Sequence, residues 1–358
     1  MARVLHLLEK NPDYQSQSAL DQLLRDGGGE VRSIGRGGDF SLPWLATWKL
    51  RKLSGGFDLV HAWGGCALAV ATIGSAKKII YSPTEFPDRQ SLRWLRAVMS
   101  GRDLQVICPT DTMRKTMVEN GVPIERCHLI RPGVDFAKVN RRRNDELREK
   151  FGFGGEDIVL LSPGESLREA NHRAAILAMS VLHLMEPKYK LLIWNRGPTA
   201  AAERRFAEKM LPETFVTFAT QKIAEVQFEQ LLQASDAALI TADAPAPPLP
   251  IAVCMAAGLP IVAVVSSTIA ELLEDRHSAL FATRHSTRLI ARRVLDLRDD
   301  PQLAWQIADA AKTEAFEFFS MTRFVNQMRA VYEQVVKAQQ VEVPQQAPGA
   351  GMRFAGRG

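Results

Sequence analysis

The segment PLPIAVCMAAGLPIVAVVSSTIAELLEDRHSALFA, Pro248–Ala282, decides the fold. Its middle, Ile261–Val265, is a short apolar run rich in β-branched residues, bounded by Gly258 and Pro260 before it and two serines after it. That pattern reads as a buried strand. Matching runs recur outward along the chain: Ala237–Ile240, Phe215–Phe218, Lys190–Trp194 and Ile158–Leu161, then, before a polar stretch, Cys127–Ile130, Leu104–Cys108, Lys78–Tyr81, Phe57–His61 and Val4–Leu8. Helical patterns lie between most of them. Strand–helix alternation on both sides of one break predicts two parallel sheets, each covered by helices. The break is Lys138–Lys150, which carries Arg141, Arg142 and Arg143. The fold class is therefore α/β, with two Rossmann-like domains facing an inter-domain cleft. The expected boundaries are 1–140, 141–320, a closing helix at 321–339 and a Pro/Gly/Gln-rich tail at 340–358, read as disordered.

Composition agrees with this and narrows the function. The chain has 358 residues, 46% hydrophobic and 24% charged, which excludes wholesale disorder. No apolar run is long enough for a bilayer span, and Glu9 and Lys10 interrupt anything like a secretory leader. A cytoplasmic protein is expected. Cys66, Cys108, Cys127 and Cys254 lack metal-ligand spacing and read as buried free thiols. No metal or other cofactor is expected. Residues 1–150 carry 24 Lys and Arg against 17 Asp and Glu, whereas residues 151–358 carry 21 against 23. The basic first half suits either an anionic surface or a solvated face without a partner. Nucleic acid is not an expected partner, because no recognition motif interleaves the basic residues.

Six collinear segments resemble the group 1 glycosyltransferases, family 4, of GT-B fold. They are the opening segment; FDLVHAWGG (Phe57–Gly65); ICPTDTMRKTMVENGVPIERCHLIRPGVDF (Ile107–Phe136); LLIWNRGP (Leu191–Pro198), with Asn195 at a family glycine; SDAALI (Ser235–Ile240); and the closing helix from FSMTRFVNQMRAVYEQV. The resemblance covers about residues 1–338. It implies transfer of a sugar from a nucleotide diphosphate with retention, without metal, to a glycan or lipid-linked acceptor in envelope or exopolysaccharide synthesis.

Departures from the family pattern fall on the chemistry. Glu165 and Ala170 stand where the resemblance implies Arg and Lys against the leaving diphosphate. Losing one such charge costs about 10²–10³ in rate. Ala246 and Cys254 stand where two glutamates would hold the donor sugar and ribose, and Pro247, Pro248 and Pro250 remove backbone N–H groups nearby. Thr84, followed by Glu85, lies near an expected acceptor-side His. Arg168, Arg173 and Arg196 are candidate replacement cations, and Asp243 a replacement carboxylate, each against a solvated alternative.

The expected donor site is thus Gly164, Glu165, Ser166, Arg168, Arg173, Asn195, Arg196, Gly197, Asp243, Ser266, Ser267 and Thr268. On the acceptor side stand His61, Trp63, Gly64, Thr84 and Glu85, with His61 either at the cleft mouth or structural. A peripheral membrane contact on the inner face is expected from Trp44, Trp48, Arg89, Arg93 and Arg96. The alternative there is a core-facing apolar side with solvated arginines. The overall alternative is a non-catalytic GT-B relative serving as a binding or scaffold subunit. A sugar-nucleotide epimerase of the same fold is disfavoured, since such enzymes also need carboxylates and a phosphate-binding cation in the second domain and these motifs do not match.

Overall fold

The structure, a computed structural model, describes residues 2–9, 12–25, 29–34, 56–74, 76–84, 87–139, 142–243, 246–284 and 286–337. The first domain alternates β1 (Val4–Glu9), α1 (Tyr14–Arg25), β2 (Gly29–Ile34), β3 (Leu59–Trp63), α2 (Gly65–Ile73), β4 (Lys78–Ser82), α3 (Arg89–Met99), β5 (Asp103–Cys108), α4 (Asp111–Glu119) and β6 (Cys127–Leu129). The second runs α5 (Asp145–Phe151), β7 (Ile158–Ser162), α6 (His172–Met185), β8 (Tyr189–Ile193), α7 (Ala200–Met210), β9 (Val216–Phe218), α8 (Ala219–Lys222), α9 (Phe228–Ala234), β10 (Ala237–Ile240), α10 (Leu249–Ala256), β11 (Ile261–Val264), α11 (Ser267–Leu272), β12 (Leu280–Ala282), α12 (Thr287–Asp299), α13 (Pro301–Phe318) and α14 (Met321–Lys337).

Each domain holds one six-stranded sheet, in the orders β2-β1-β3-β4-β5-β6 and β12-β11-β10-β7-β8-β9. All pairings are parallel. This is the GT-B arrangement of two Rossmann-like domains. Helices cover both faces, so central strands such as β3, β4 and β11 are buried at every residue. The strand order reverses between β1 and β3 in one sheet and between β7 and β10 in the other. Such switch points open a crevice beyond the strands' carboxyl ends.

Every strand read from the sequence is present, within a residue or two at its ends. Two edge strands, β2 and β12, are additional. The polar stretch Lys138–Lys150 is not a simple linker, because α5 begins inside it and belongs to the second domain. Arg148 on α5 is buried; it donates to Ala234 O at 2.8 Å and pairs with Asp236 at 3.1 Å. The closing helix, α14, crosses back to the first sheet, where Phe324, Val325, Met328, Val331 and Tyr332 join Val4, Leu8, Ile80 and Ile107 in one core. The thiols divide: Cys108, Cys127 and Cys254 are buried, but Cys66 is exposed beside Glu9, at the first turn of α2. The 340–358 tail lies outside the described residues.

His61 corrects a sequence expectation. It is fully buried under α14 rather than at the cleft mouth, because its alternation on β3 turns it toward Tyr332. Its Nδ1 meets the Tyr332 hydroxyl at 2.7 Å and its Nε2 meets Ser82 Oγ at 2.9 Å. His6 lies beside it, ring centres 5.4 Å apart, and its Nδ1 accepts from Trp63 Nε1 at 3.3 Å. Burial lowers His6 to about 4 and holds His61 well below its ordinary value.

A pH dependence follows. The unfolded chain takes up a proton at His6 near pH 6.5, while the folded chain resists it to about pH 4. Stability from this group is therefore full above pH 6.5 and lost as pH falls through that window, by up to about 1.4 kcal/mol per pH unit. Urea unfolding at pH 7, 6 and 5 should show a shallower pH slope for His6→Asn, which keeps an acceptor near Nδ1 but cannot titrate. An unchanged slope would assign the dependence to other groups.

Candidate active site

Two loops of the second domain form one wall of the cleft. After β7 the chain runs through Gly164, whose φ of 96° is open to glycine and brings the loop against Pro250 of α10. Asn171 ends this loop in the left-handed region, φ 50°. After β8, Asn195 takes φ 63° and Gly197 φ 133°. A Cβ on Gly197 would lie 2.7 Å from Ser166 O, so this glycine allows the two loops to touch. Asparagine tolerates the left-handed region better than other side chains, which explains Asn195 at a family glycine. A buried polar set fixes the loops. Glu203 accepts from Ser166 Oγ and Thr199 Oγ1, both at 2.6 Å, and His172 meets Ser162 Oγ at 2.7 Å.

The first domain supplies the facing wall from β1, β3 and the loop after β4. Between the walls is a cleft of about 850 Å³, lined in part by Glu9, Asp13, Trp63 and Thr84 on one side and Glu165, Trp194, Asn195, Arg196, Gly197 and Glu225 on the other. Gly64, φ 89°, sits against Thr84. Glu85, Trp44 and Trp48 lie outside the described residues. Among the described lining residues Arg196 is the one cation. It donates to Pro12 O at 3.1 Å, lies 3.4 Å from Glu165 and stacks over Trp194.

Several predicted donor residues are elsewhere. Arg173 stacks on Phe206 of α7, 4.6 Å from the ring centre, because the α6 turn directs it away from the cleft. The Arg168 side chain is exposed and does not line the cleft. Asp243 is held by Arg284 at 2.8 Å. Ser266 caps its own helix through Ile269 N, Ser267 is exposed, and Thr268 is buried. Cys254, at a family glutamate position, is buried inside α10, while Ala170 and Ala246 line the crevice between β7 and β10.

Glu165 is the sharpest difference. Its carboxylate turns to the first domain and accepts from Tyr14 N at 3.1 Å. Burial, with nearby Asp13 adding to it, pushes Glu165 up to about 7. Burial also raises Asp13, which accepts from Ser16 N at 3.1 Å as the cap of α1. Tyr14, Gln15, Glu229 and Glu271 escaped the sequence reading. The only signal near them was the Asp-x-x-Ser spacing at Asp13–Ser16, which marks a helix start and no more.

Each domain also caps a helix of the other. Glu271 on α11 accepts from Asp111 N, Thr112 N and Thr112 Oγ1 at 2.6, 2.9 and 3.0 Å, at the start of α4. In return Gln15 Oε1 accepts from Leu249 N at 3.3 Å, at the start of α10.

Residues 143–314 match the family "Glycosyl transferases group 1", and residues 11–138 match "Glycosyltransferase Family 4". Between them the two family models cover both domains, and the chain belongs to the GT-B glycosyltransferases. Among curated relatives, EpsD of Bacillus subtilis, named as a glycosyltransferase, is 24% identical over 71% of this chain and 64% of its own. Alpha-monoglucosyldiacylglycerol synthase of Streptococcus pneumoniae is 26% identical over 50% of this chain and 42% of its own. The matches thus span less than two thirds of either relative. Crystal structures agree on the GT-B fold. Anabaena HepE in complex with UDP and glucose has a TM-score of 0.78 at 18% identity, over 93% of this chain and 100% of that one. Sucrose-phosphate synthase of Thermosynechococcus elongatus has 0.71 at 14%, over 94% and 100%.

The Glu271 contact gives a direct test of how the GT-B chain holds its cleft. Glu271→Ala leaves two helix N–H groups without their carboxylate, so it should destabilise by about 1–3 kcal/mol in urea unfolding. Small-angle scattering should show a larger radius of gyration. An unchanged radius would mean that closure does not depend on this cap.

Proposed function

We propose that this protein transfers a sugar, with retention, from a nucleotide-diphosphate sugar to a glycan or lipid-linked acceptor in envelope or exopolysaccharide synthesis. The observation that carries the reading is the pairing of two switch-point crevices on one cleft. The second-domain crevice is bounded by the loops after β7 and β8, which present Gly164, Asn195 and Gly197 to it. The relatives' names and the UDP- and glucose-bound neighbour point the same way. In the transfer, the acceptor oxygen bonds to the anomeric carbon as that carbon's bond to the β-phosphate oxygen breaks. The electron pair leaves on the nucleoside diphosphate, which takes the acceptor's proton.

Charge is the obstacle, and the site reduces it in two ways. Arg196 is half-exposed in the cleft and free to turn from the Pro12 carbonyl to a phosphate. While the first turn of α1 covers it, Glu165 is pushed up to about 7 by burial and is only partly ionised near neutral pH, which lessens its repulsion of an approaching diphosphate. Calorimetric titration with UDP, GDP and ADP and their sugars tests this. One base should bind, and Arg196→Ala should weaken it about 10-fold or more, whereas Arg173→Ala, on its Phe206 perch, should not. No binding by any nucleotide up to millimolar concentration would overturn the transferase reading and leave a binding subunit.

We further propose peripheral docking on an anionic membrane through α3. Leu92, Leu95, Val98 and Met99 pack into the first-domain core, so the apolar face is spent inside. Arg89, Arg93 and Trp94 are exposed, Trp94 at 39%. Arg96 is drawn back, donating to Asn120 O at 3.1 Å. Among the described residues no helix is long and apolar enough to cross a membrane. At about 1 kcal/mol per basic residue, the Arg89→Ala/Arg93→Ala double variant should bind anionic vesicles about 30-fold more weakly. Equal binding of both proteins, or none by the wild type, would remove α3 as the docking face.

A further inference from the structure

The switch point between β7 and β10 is where the second sheet is open to a ligand, yet only about 30 Å³ is free there. The space is filled by the first turn of α1, from the other domain. Tyr14 inserts its ring against Trp194, edge-on at 5.6 Å, and against Phe228 at 5.2 Å. Its hydroxyl donates to Glu229 Oε1 at 2.8 Å, and its backbone N–H donates to Glu165 at 3.1 Å. The next residue, Gln15, takes the Leu249 N–H at the start of α10. Pro250 has no N–H there, and the Ala252 N–H is already bonded to Pro248 O.

These are the contacts an external ligand would make. An aromatic ring packs onto a pair of aromatic side chains that already touch each other, a hydroxyl meets a carboxylate, and an oxygen meets a helix N-terminus. The turn itself is held by its Asp13 cap, and Arg196 binds Pro12 O just before it. The open cleft of about 850 Å³ borders the turn at Pro12 and Asp13, and a second space of about 370 Å³ borders it at Tyr14.

We propose that Asp13–Gln15 is an internal occupant of the nucleotide site, an autoinhibitory contact that a donor must displace before it can bind. The proposal rests on the reading of this crevice as the nucleotide-sugar site. Displacement makes the closed domain contact and the donor complex mutually exclusive. Apparent affinity is then the intrinsic affinity reduced by the fraction of molecules with the turn withdrawn. It also gives Tyr14 a role distinct from Arg196: one lowers affinity in the wild type, the other raises it.

The test is titration of the full chain with UDP, GDP and ADP alone. Wild type is compared with Tyr14→Ala, Tyr14→Phe and Gln15→Ala, with folding of each variant checked by its unfolding transition. Tyr14→Ala and Gln15→Ala should each bind the preferred nucleotide about 10-fold more tightly. Tyr14→Phe, which keeps the ring and loses the Glu229 bond, should fall between them and wild type. Scattering should show wild type expanding as nucleotide is added. Gln15→Ala serves should Tyr14→Ala fail to fold. Equal affinities in all four proteins would overturn the internal-occupant proposal and leave the donor reading intact, and so would weaker binding by the variants, which would make Tyr14 part of the ligand site. Absence of binding in every protein would overturn the donor reading itself, and displacement with it.

Discussion

A parallel sheet covered by helices directs helix N-termini toward the carboxyl ends of its strands, and their first N–H groups have no partner within the helix. Two such sheets facing each other collect those groups in one cleft. They must be satisfied by ligand, water or side chain. In this molecule each domain supplies the partner for the other: Glu271 for Asp111 and Thr112, Gln15 for Leu249. The closed arrangement therefore rests on helix N-terminal N–H groups, the kind of donor that binds anions, and on the proposed reading a diphosphate would need some of them. Ligand binding and domain contact then compete for one resource.

The competition is sharpened by what surrounds it. The loops after β7 and β8 are held by a buried polar set in which Glu203, 3% exposed, is satisfied by two hydroxyls rather than by a cation. A carboxylate so placed is costly to disturb, since losing either partner leaves a buried acceptor unmet. The second-domain wall is accordingly the stiff side of the cleft. The first turn of α1, by contrast, is held there by individual hydrogen bonds and one inserted ring.

The fold was legible because parallel strands buried on both faces must be continuous apolar runs, and the sequence carries them. The misses have the same cause. GEVRSI, at β2, is an edge strand without a fully buried residue, and LFA, at β12, is too short to announce itself. Within Arg141–Lys150 the basic residues mask the short helix α5, and nothing local reveals that Arg148, among the charged residues of that helix, is the buried one. Of the residues read from the sequence as a site, Trp63, Thr84, Glu165, Asn195, Arg196 and Gly197 line the cleft, and backbone geometry dictates residue type at Gly164, Asn195 and Gly197. The partners of Glu165 and Leu249 are more than 150 residues away in the chain, so no spacing could point to Tyr14 or Gln15. Likewise His61 and Trp63 share one strand, yet one faces α14 and the other also reaches the cleft.

Charge shows why composition and chemistry must be kept apart. The excess of basic residues in the first half suggested a partner for that domain. The cleft wall the domain contributes is instead acidic among its described residues, with Glu9 and Asp13, while Arg89 and Arg93 lie on the outer helix α3. Opposite them, burial has raised Glu165 toward neutrality, so a residue of the wrong formal sign for a diphosphate becomes, near pH 7, only partly charged. That protonation depends on burial, and burial depends on Tyr14 and Asp13 covering the carboxyl. Withdrawal of the turn would hydrate Glu165 and return it toward its ordinary ionised state. On the proposed reading, the charge facing an incoming donor is thus set by the same domain contact that would block it, and Arg196, released from Pro12 O and beside Glu165, is the group placed to offset it.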